Sequence, residues 1–354
     1  MRRKQSENVP KVPTSDQDLV YNFPILWKTL WDMPQIKVLS TKSLVRFNNV
    51  VQDYLRDEGM RQRKAAYVEV DTIADYVDDS FARGLNQYNF LYTADDLKKL
   101  DEVVILNPDG QKLQALILRN NRSKKWVIAL HGWTENKFLG LRQTYLFSKL
   151  GFNVMTIDVR AHGASYGTKT DLGYSAPYDL ASCVDYLKTH YGMTNYGLIG
   201  NSMGGSIVVK YAEDIGYLDP ALKFVIDDCG FSNLLLEARY FFQRQTKMPW
   251  WKVSFGLRRK FKKVFGYDPN DFDIRKKLSR TAQIPMLFLH GDADDLVPLY
   301  MSEQLYKEKI ASEQIVVSEL IVFPKAKHVE AISVGHKQYV NGIVQFLKKI
   351  GEIK

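Results

Sequence analysis

Three features of the chain predict an α/β fold with a mostly parallel, doubly wound sheet. The short apolar run Tyr196 to Ile199 ends in a Gly-rich turn, and Gly205 to Ile215 follows it with helical spacing, the pattern of a buried strand feeding a helix. Two further apolar runs, Trp126 to Leu130 and Met286 to Leu289, each close on a His-Gly pair, a setting of strand-end loops. Finally, a serine, a cluster of aspartates and a histidine follow one another at the ends of such runs, in a chain order used for nucleophilic chemistry on parallel sheets.

Taken in order, residues 1–100 read as a mostly helical N-terminal extension. Ser40 to Glu58, Thr72 to Tyr92 and Ala94 to Leu100 mix charge with recurring apolar positions. This stretch is too short for a propeller of four or more blades at roughly 40 residues each, which excludes the prolyl-oligopeptidase architecture. Residues 101–354 then carry the sheet. Val103 to Leu106 and Leu113 to Leu118 are strands flanking the turn Asn107-Pro108-Asp109-Gly110, followed by Trp126 to Leu130, Asn153 to Ile157, Tyr196 to Ile199, Phe224 to Ile226, Met286 to Leu289 and Leu320 to Phe323. Between the strand ending near Asp228 and the strand at Met286 lies an insertion of about residues 231–280, in the place of a lid.

Gly200-Asn201-Ser202-Met203-Gly204 fits G-x-S-x-G, which sets a serine on a strand-to-helix turn so tight that small residues must flank it. Ser202 is therefore the candidate nucleophile. A serine needs a base, and six histidines allow elimination. His131, His162 and His290 lie in strand-end loops, His190 ends a predicted helix, and His336 starts the last one. His328 remains, in the loop after Leu320 to Phe323, at the sheet edge where catalytic loops gather. For the acid, His290 to Pro298 offers Asp292, Asp294 and Asp295 after a strand.

These motifs resemble the α/β-hydrolase family over roughly residues 100–350. His131-Gly132-Trp133-Thr134 is similar to its oxyanion loop, Gly200 to Gly204 to its nucleophile elbow, and His290 to Pro298 to its H-G-x-x-D-x-x-V-P acid loop. His328 is similar to the histidine before the family's closing helix. The resemblance implies Asp294 as the acid, with Asp227 and Asp228 at a position that some members use instead. Asp158 to Ser165 resembles the family's D-x-R-G-H-G-x-S loop, with Ala161 in place of a glycine. Among subgroups, the chain looks most like bacterial serine-aminopeptidase and lysophospholipase-like hydrolases.

That pattern implies a serine hydrolase cleaving carboxylic ester, thioester or lipid bonds. Ser202 would attack, His328 would carry the proton, Asp294 would orient the imidazole, and backbone N–H groups of Trp133 and Met203 would form the oxyanion hole. A peptidase on the same triad is the runner-up, and a non-catalytic ligand-binding protein of the same fold is the third reading. A serine nucleophile argues against dehalogenase chemistry, and no cofactor or metal is expected.

Composition sets outer limits. With 354 residues and 45% hydrophobic content the chain can bury one full core and carry extra elements. Two cysteines, Cys183 and Cys229, make no disulfide framework and read as buried thiols. Met1-Arg2-Arg3-Lys4 leads into polar residues, not the apolar core of a secretory signal, and Leu19 to Trp31 is too short and interrupted to cross a bilayer. A cytoplasmic protein able to sit at a membrane surface is expected. The insertion is strongly aromatic, as a cover for an apolar acyl pocket would be. Lys252 to Lys263 holds a large share of the +9 net charge with no acid, and offers a contact for an anionic membrane surface; without a recognised module, nucleic acid is not an expected partner.

Overall fold

The computed structural model describes Asp96 and residues 99–354, apart from 121, 122, 134, 168, 169, 247 and 248. The expected helices before residue 93 and the segment Leu19 to Trp31 lie outside the described residues.

Eight strands form one sheet: β1 (Leu100–Leu106), β2 (Lys112–Leu118), β3 (Lys125–Leu130), β4 (Asn153–Ile157), β5 (Asn195–Asn201), β6 (Leu222–Asp228), β7 (Met286–Gly291) and β8 (Glu319–Phe323). Their spatial order is β1-β2-β4-β3-β5-β6-β7-β8. β2 is antiparallel to both neighbours, and every pairing from β4 through β8 is parallel. The doubly wound, mostly parallel expectation therefore holds. One boundary differs: Leu100, expected to end a helix, begins β1 and pairs with Leu118.

Among the described residues the α-helices are α1 (Lys137–Lys149), α2 (Ala176–Tyr191), α3 (Met203–Asp214), α4 (Leu234–Thr246), α5 (Trp250–Phe265), α6 (Tyr300–Ser312), α7 (Ala331–Val334) and α8 (His336–Lys349). Because successive strand residues point to opposite faces, Trp126, Ile128 and Leu130 of β3 join the core under α2, α3 and α6, while Val127 and Ala129 join the core under α1 and α8. Both faces are thus covered, which explains why the parallel strands read as continuous apolar runs. Truncating a side chain in either layer, such as Ile128 or Phe346, is worth about 2–5 kcal/mol.

The strand order reverses around β3, with β4 on one side and β5 on the other. Loops leaving the C-terminal ends of β3 and β5 diverge there to opposite faces, opening the crevice in which sheets of this kind place their chemistry. The insertion after β6 contributes α4 and α5 from the same edge. Among the described residues no helix is long and apolar enough to cross a membrane.

Candidate active site

β5 stops at Asn201 and α3 begins at Met203, so the chain turns from strand to helix at the single residue Ser202. Its backbone adopts φ 52° and ψ −122°, a conformation L-residues avoid at a cost of about 1–3 kcal/mol. The flanking glycines permit it. A Cβ at Gly200 would overlap the Gly204 carbonyl, and one at Gly204 would overlap the carbonyl oxygens of Leu130 and His131. The turn is pinned by the Ser202 N–H, which donates to the Asp228 carbonyl of β6 at 2.8 Å.

The loops after β7 and β8 converge on this serine. His328 Nε2 lies 2.8 Å from Ser202 Oγ, and His328 Nδ1 lies 2.7 Å from Asp294 Oδ2. Asp294 is held in turn: Oδ1 accepts the backbone N–H groups of Leu296 and Val297, both at 2.9 Å, and Oδ2 is 3.3 Å from His290 Nε2. Burial alone would raise the Asp294 pKa, but the His328 and His290 imidazoles outweigh it and hold the carboxyl well below the usual carboxylate range. For His328 burial works downward, and the Asp294 carboxylate overrides it, so the imidazole holds its proton well above the ordinary histidine value.

The other candidate aspartates are committed elsewhere. Asp292 accepts the Lys325 N–H at 2.6 Å, and Asp295 pairs with Arg244 of α4 at 2.7 Å. Asp227 accepts the Gly230 N–H at 2.8 Å, and Asp228 accepts the Tyr339 hydroxyl of α8 at 2.9 Å. Burial pushes Asp227 up to about 7 and Asp228 up to about 6, far from the low value of a working orienting carboxylate.

The loop after β3 rests against Ser202, since a Cβ at Gly132 would stand 3.3 Å from Ser202 Cβ. Its shape comes from a buried carboxylate. Glu135 Oε2 accepts both the Gly132 N–H and the Asn201 side-chain amide at 2.7 Å, while Oε1 pairs with Arg142 of α1 at 3.0 Å. Burial would raise Glu135, but Arg142, Asn201 and the Gly132 N–H together hold it below its ordinary value. With the Gly132 N–H engaged by Glu135, Trp133 is the loop's candidate oxyanion donor, complementing Met203 at the start of α3. The indole of Trp133 is 39% exposed, as a wall of an open pocket would be.

His131 and His162 are structural. His131 donates from Nδ1 to the Gly132 carbonyl at 2.7 Å and accepts the Val159 N–H at Nε2, 3.0 Å away. Its ring lies 5.0 Å from that of His162, and burial lowers both, His162 to about 3. Ala161, where the resemblance expects glycine, sits at φ 61°. The position keeps a glycine's backbone while carrying a Cβ.

Cys229, at φ 53°, is the nearest candidate for a metal donor, its thiol lying with Asp294 and His328 oxygen and nitrogen atoms within 4.8 Å of one another. Burial pushes this thiol up to about 12, and both His328 nitrogens are already hydrogen-bonded. That donor set favours holding a proton over caging a cation. Both cysteines are free and buried, as expected.

The alpha/beta hydrolase fold model matches residues 125–228. The chain is 27% identical over 252 residues to YqkD of Bacillus subtilis, covering 70% of this chain and 79% of that one. It is 26% identical over 174 residues to the lysophosphatidylserine lipase ABHD12 of Rattus norvegicus, covering 46% of this chain and only 39% of that lipase. Among solved structures, the esterase Pf2001 of Pyrococcus furiosus matches with a TM-score of 0.59 and 26% identity, covering 73% of this chain and 93% of the esterase. The chain belongs to the α/β-hydrolase superfamily.

In this hydrolase, sequence reasoning named Ser202, Asp294 and His328 and missed the polar frame behind them: Glu135, Arg142, Asn201 and Tyr339. A signal for part of it exists. Glu135 follows His131-Gly132 closely in the loop before α1, and Arg142 stands seven residues further on within that helix, so a loop carboxylate and a helix cation meet. The aromatic residues of the insertion divide: Phe231, Tyr240, Phe242 and Phe261 are buried, whereas Trp251 and Phe255 are exposed.

Proposed function

We propose that this protein is a serine hydrolase of carboxylic esters, with Ser202 as nucleophile, His328 as general base and acid, and Asp294 as the orienting carboxylate. The observation that carries the reading is the single imidazole bridging the serine and the carboxylate at 2.8 and 2.7 Å. Ser202 Oγ bonds to the acyl carbon as its proton passes to His328 Nε2, and the carbonyl electrons move onto oxygen. The N–H groups of Trp133 and Met203 stabilise that oxyanion, each worth about 3–4 kcal/mol. Collapse of the tetrahedral adduct expels the alkoxide or thiolate, which takes the proton from His328. A water activated by the same imidazole then releases the acid and restores Ser202.

Ester cleavage is favoured over amide cleavage by the company the chain keeps, an esterase and a lysophosphatidylserine lipase. Hydrolysis of p-nitrophenyl esters from acetate to palmitate, run beside an amide panel and a fluorophosphonate label, tests this. The expected result is ester turnover and covalent labelling, both lost in Ser202→Ala. Labelling with amide turnover and no ester turnover would move the activity to a peptidase, and an intact protein that takes no label would overturn the triad.

A further inference from the structure

We infer that α5 is a docking face for an anionic lipid bilayer, seated by Trp251 and Phe255 and held by the cations beside them. At 3.6 residues per turn, Leu257 and Phe261 point to the helix side that is buried against the protein. On the opposite side stand Trp251 and Phe255, one turn apart, with their side chains 74% and 78% exposed. Lys252, Arg259, Lys262 and Lys263 are exposed on the same side, and residues 250–265 contain no Asp or Glu. Arg258 lies at the margin of this face and is engaged by Asp268 at 2.6 Å.

Two large aromatic side chains in water are costly for a helix whose task ends with packing, since each forfeits about 1.5–3 kcal/mol of burial. A purely solvated charged face would not carry them. A purely apolar protein interface would not ring them with lysine and arginine, which are strongly hydrated. Aromatic anchors with a basic surround are what the headgroup region accepts: rings enter the acyl boundary while cations meet lipid phosphates. Lys252 Nζ lies 5.4 Å from the Trp251 ring, so the cation and the anchor would arrive at the surface together.

The position of α5 gives the contact a purpose. It belongs to the insertion that leaves the C-terminal end of β6, the edge that also carries Ser202. α5 packs on α4 through Trp250 against Phe242, and α4 is tied to the acid loop by Arg244 and Asp295. A bilayer on α5 would therefore lie on the side of the molecule from which an acyl chain reaches the serine. The docking face does not depend on the triad, so it can be tested by binding alone.

The test is co-sedimentation of the full chain with vesicles of phosphatidylcholine, or of phosphatidylcholine with 30% phosphatidylglycerol, at low and high salt. Wild type should bind the anionic vesicles preferentially and lose that preference in high salt. Trp251→Ser/Phe255→Ser should weaken binding by tenfold or more. Lys252→Gln/Arg259→Gln/Lys262→Gln should weaken it about 100-fold, at roughly fivefold per basic residue. Unaltered thermal unfolding of both variants would show that these exposed positions do not act through stability. Wild type that stays off anionic vesicles overturns the inference, as does binding that both variants retain, which would assign it to another part of the chain. A dimer dissolved by Trp251→Ser/Phe255→Ser, in a wild type that ignores vesicles, would give the face to a second copy instead.

Discussion

Around Ser202 the polar groups are bound to one another across four strands, whereas α5 turns two aromatic rings and a row of cations outward. At the serine, geometry is imposed by what cannot fit: glycines at 200 and 204, and a serine forced to positive φ. On α5, the composition of an exposed face decides, and its backbone is ordinary helix ended by Gly266 in the left-handed region. The difference teaches that substitutions near Ser202 should cost both activity and stability, while those on the outer face of α5 should cost neither in a dilute assay with a water-dissolved ester.

The sharpest way to break this contrast is at the site itself. Ser202→Ala is expected to lower kcat on the order of 10⁶-fold and Asp294→Asn about 10⁴-fold. Burst kinetics on p-nitrophenyl butyrate would measure both. Asp294→Asn also tests the electrostatics. His328 holds its proton well above the ordinary value, so kcat/KM should be low at acid pH and rise as pH passes through that raised pKa, when the imidazole becomes free to act as base. Without the carboxylate, burial remains to lower the imidazole, and the rising limb should move to lower pH; a limb that stays in place would separate it from His328.

Next in size is the frame. Glu135→Ala strands the Arg142 guanidinium in a buried site and should cost about 3–5 kcal/mol, read from urea unfolding. It also frees the Gly132 N–H, so kcat should fall even in the folded fraction. Because Glu135 is held below its ordinary pKa, its contribution is present above the unfolded carboxyl value of 4.5 and is lost as pH falls through the folded one. The Glu135→Ala variant should therefore show a flatter loss of stability on acidification than wild type.

The outer face of α5 supplies the small effect on the other side. Phe255→Ser should shift stability by no more than about 0.5 kcal/mol, as surface substitutions do. A larger loss would mean that the ring packs on something in solution. In the opposite direction, Ala161→Gly relieves a Cβ held at φ 61° and should gain about 0.5–1 kcal/mol in the same unfolding assay, with kcat unchanged.

Much of this was readable beforehand, for identifiable reasons. The parallel strands are buried on both faces, so Trp126 to Leu130 and Met286 to Leu289 stand out as unbroken apolar runs. Helix α8 begins at His336 as expected, after the loop that carries His328. Ser202 and the acid loop are legible because tight turns restrict residue type locally. Glu135 was not, because its partner Asn201 lies 66 residues away and only the fold joins them. Nor could the aromatic residues of the insertion be sorted in advance: Phe261 and Phe255 are alike in sequence, and only the orientation of α5 against the body buries one and exposes the other. Leu100 reads as helix in the sequence because mixed charge before it imitates helical spacing, while the edge position of β1 leaves several of its residues exposed.

The bonds that complete the serine site span long stretches of chain, 126 residues from Ser202 to His328 and 111 from Asp228 to Tyr339. Synthesis therefore delivers Ser202 long before His328. A chain that has emerged only through β7 carries Ser202 and Asp228 but neither the His328 imidazole nor the Tyr339 hydroxyl that bond to them. The site is therefore complete only once β8 and α8, the last strand and helix of the chain, have joined the sheet.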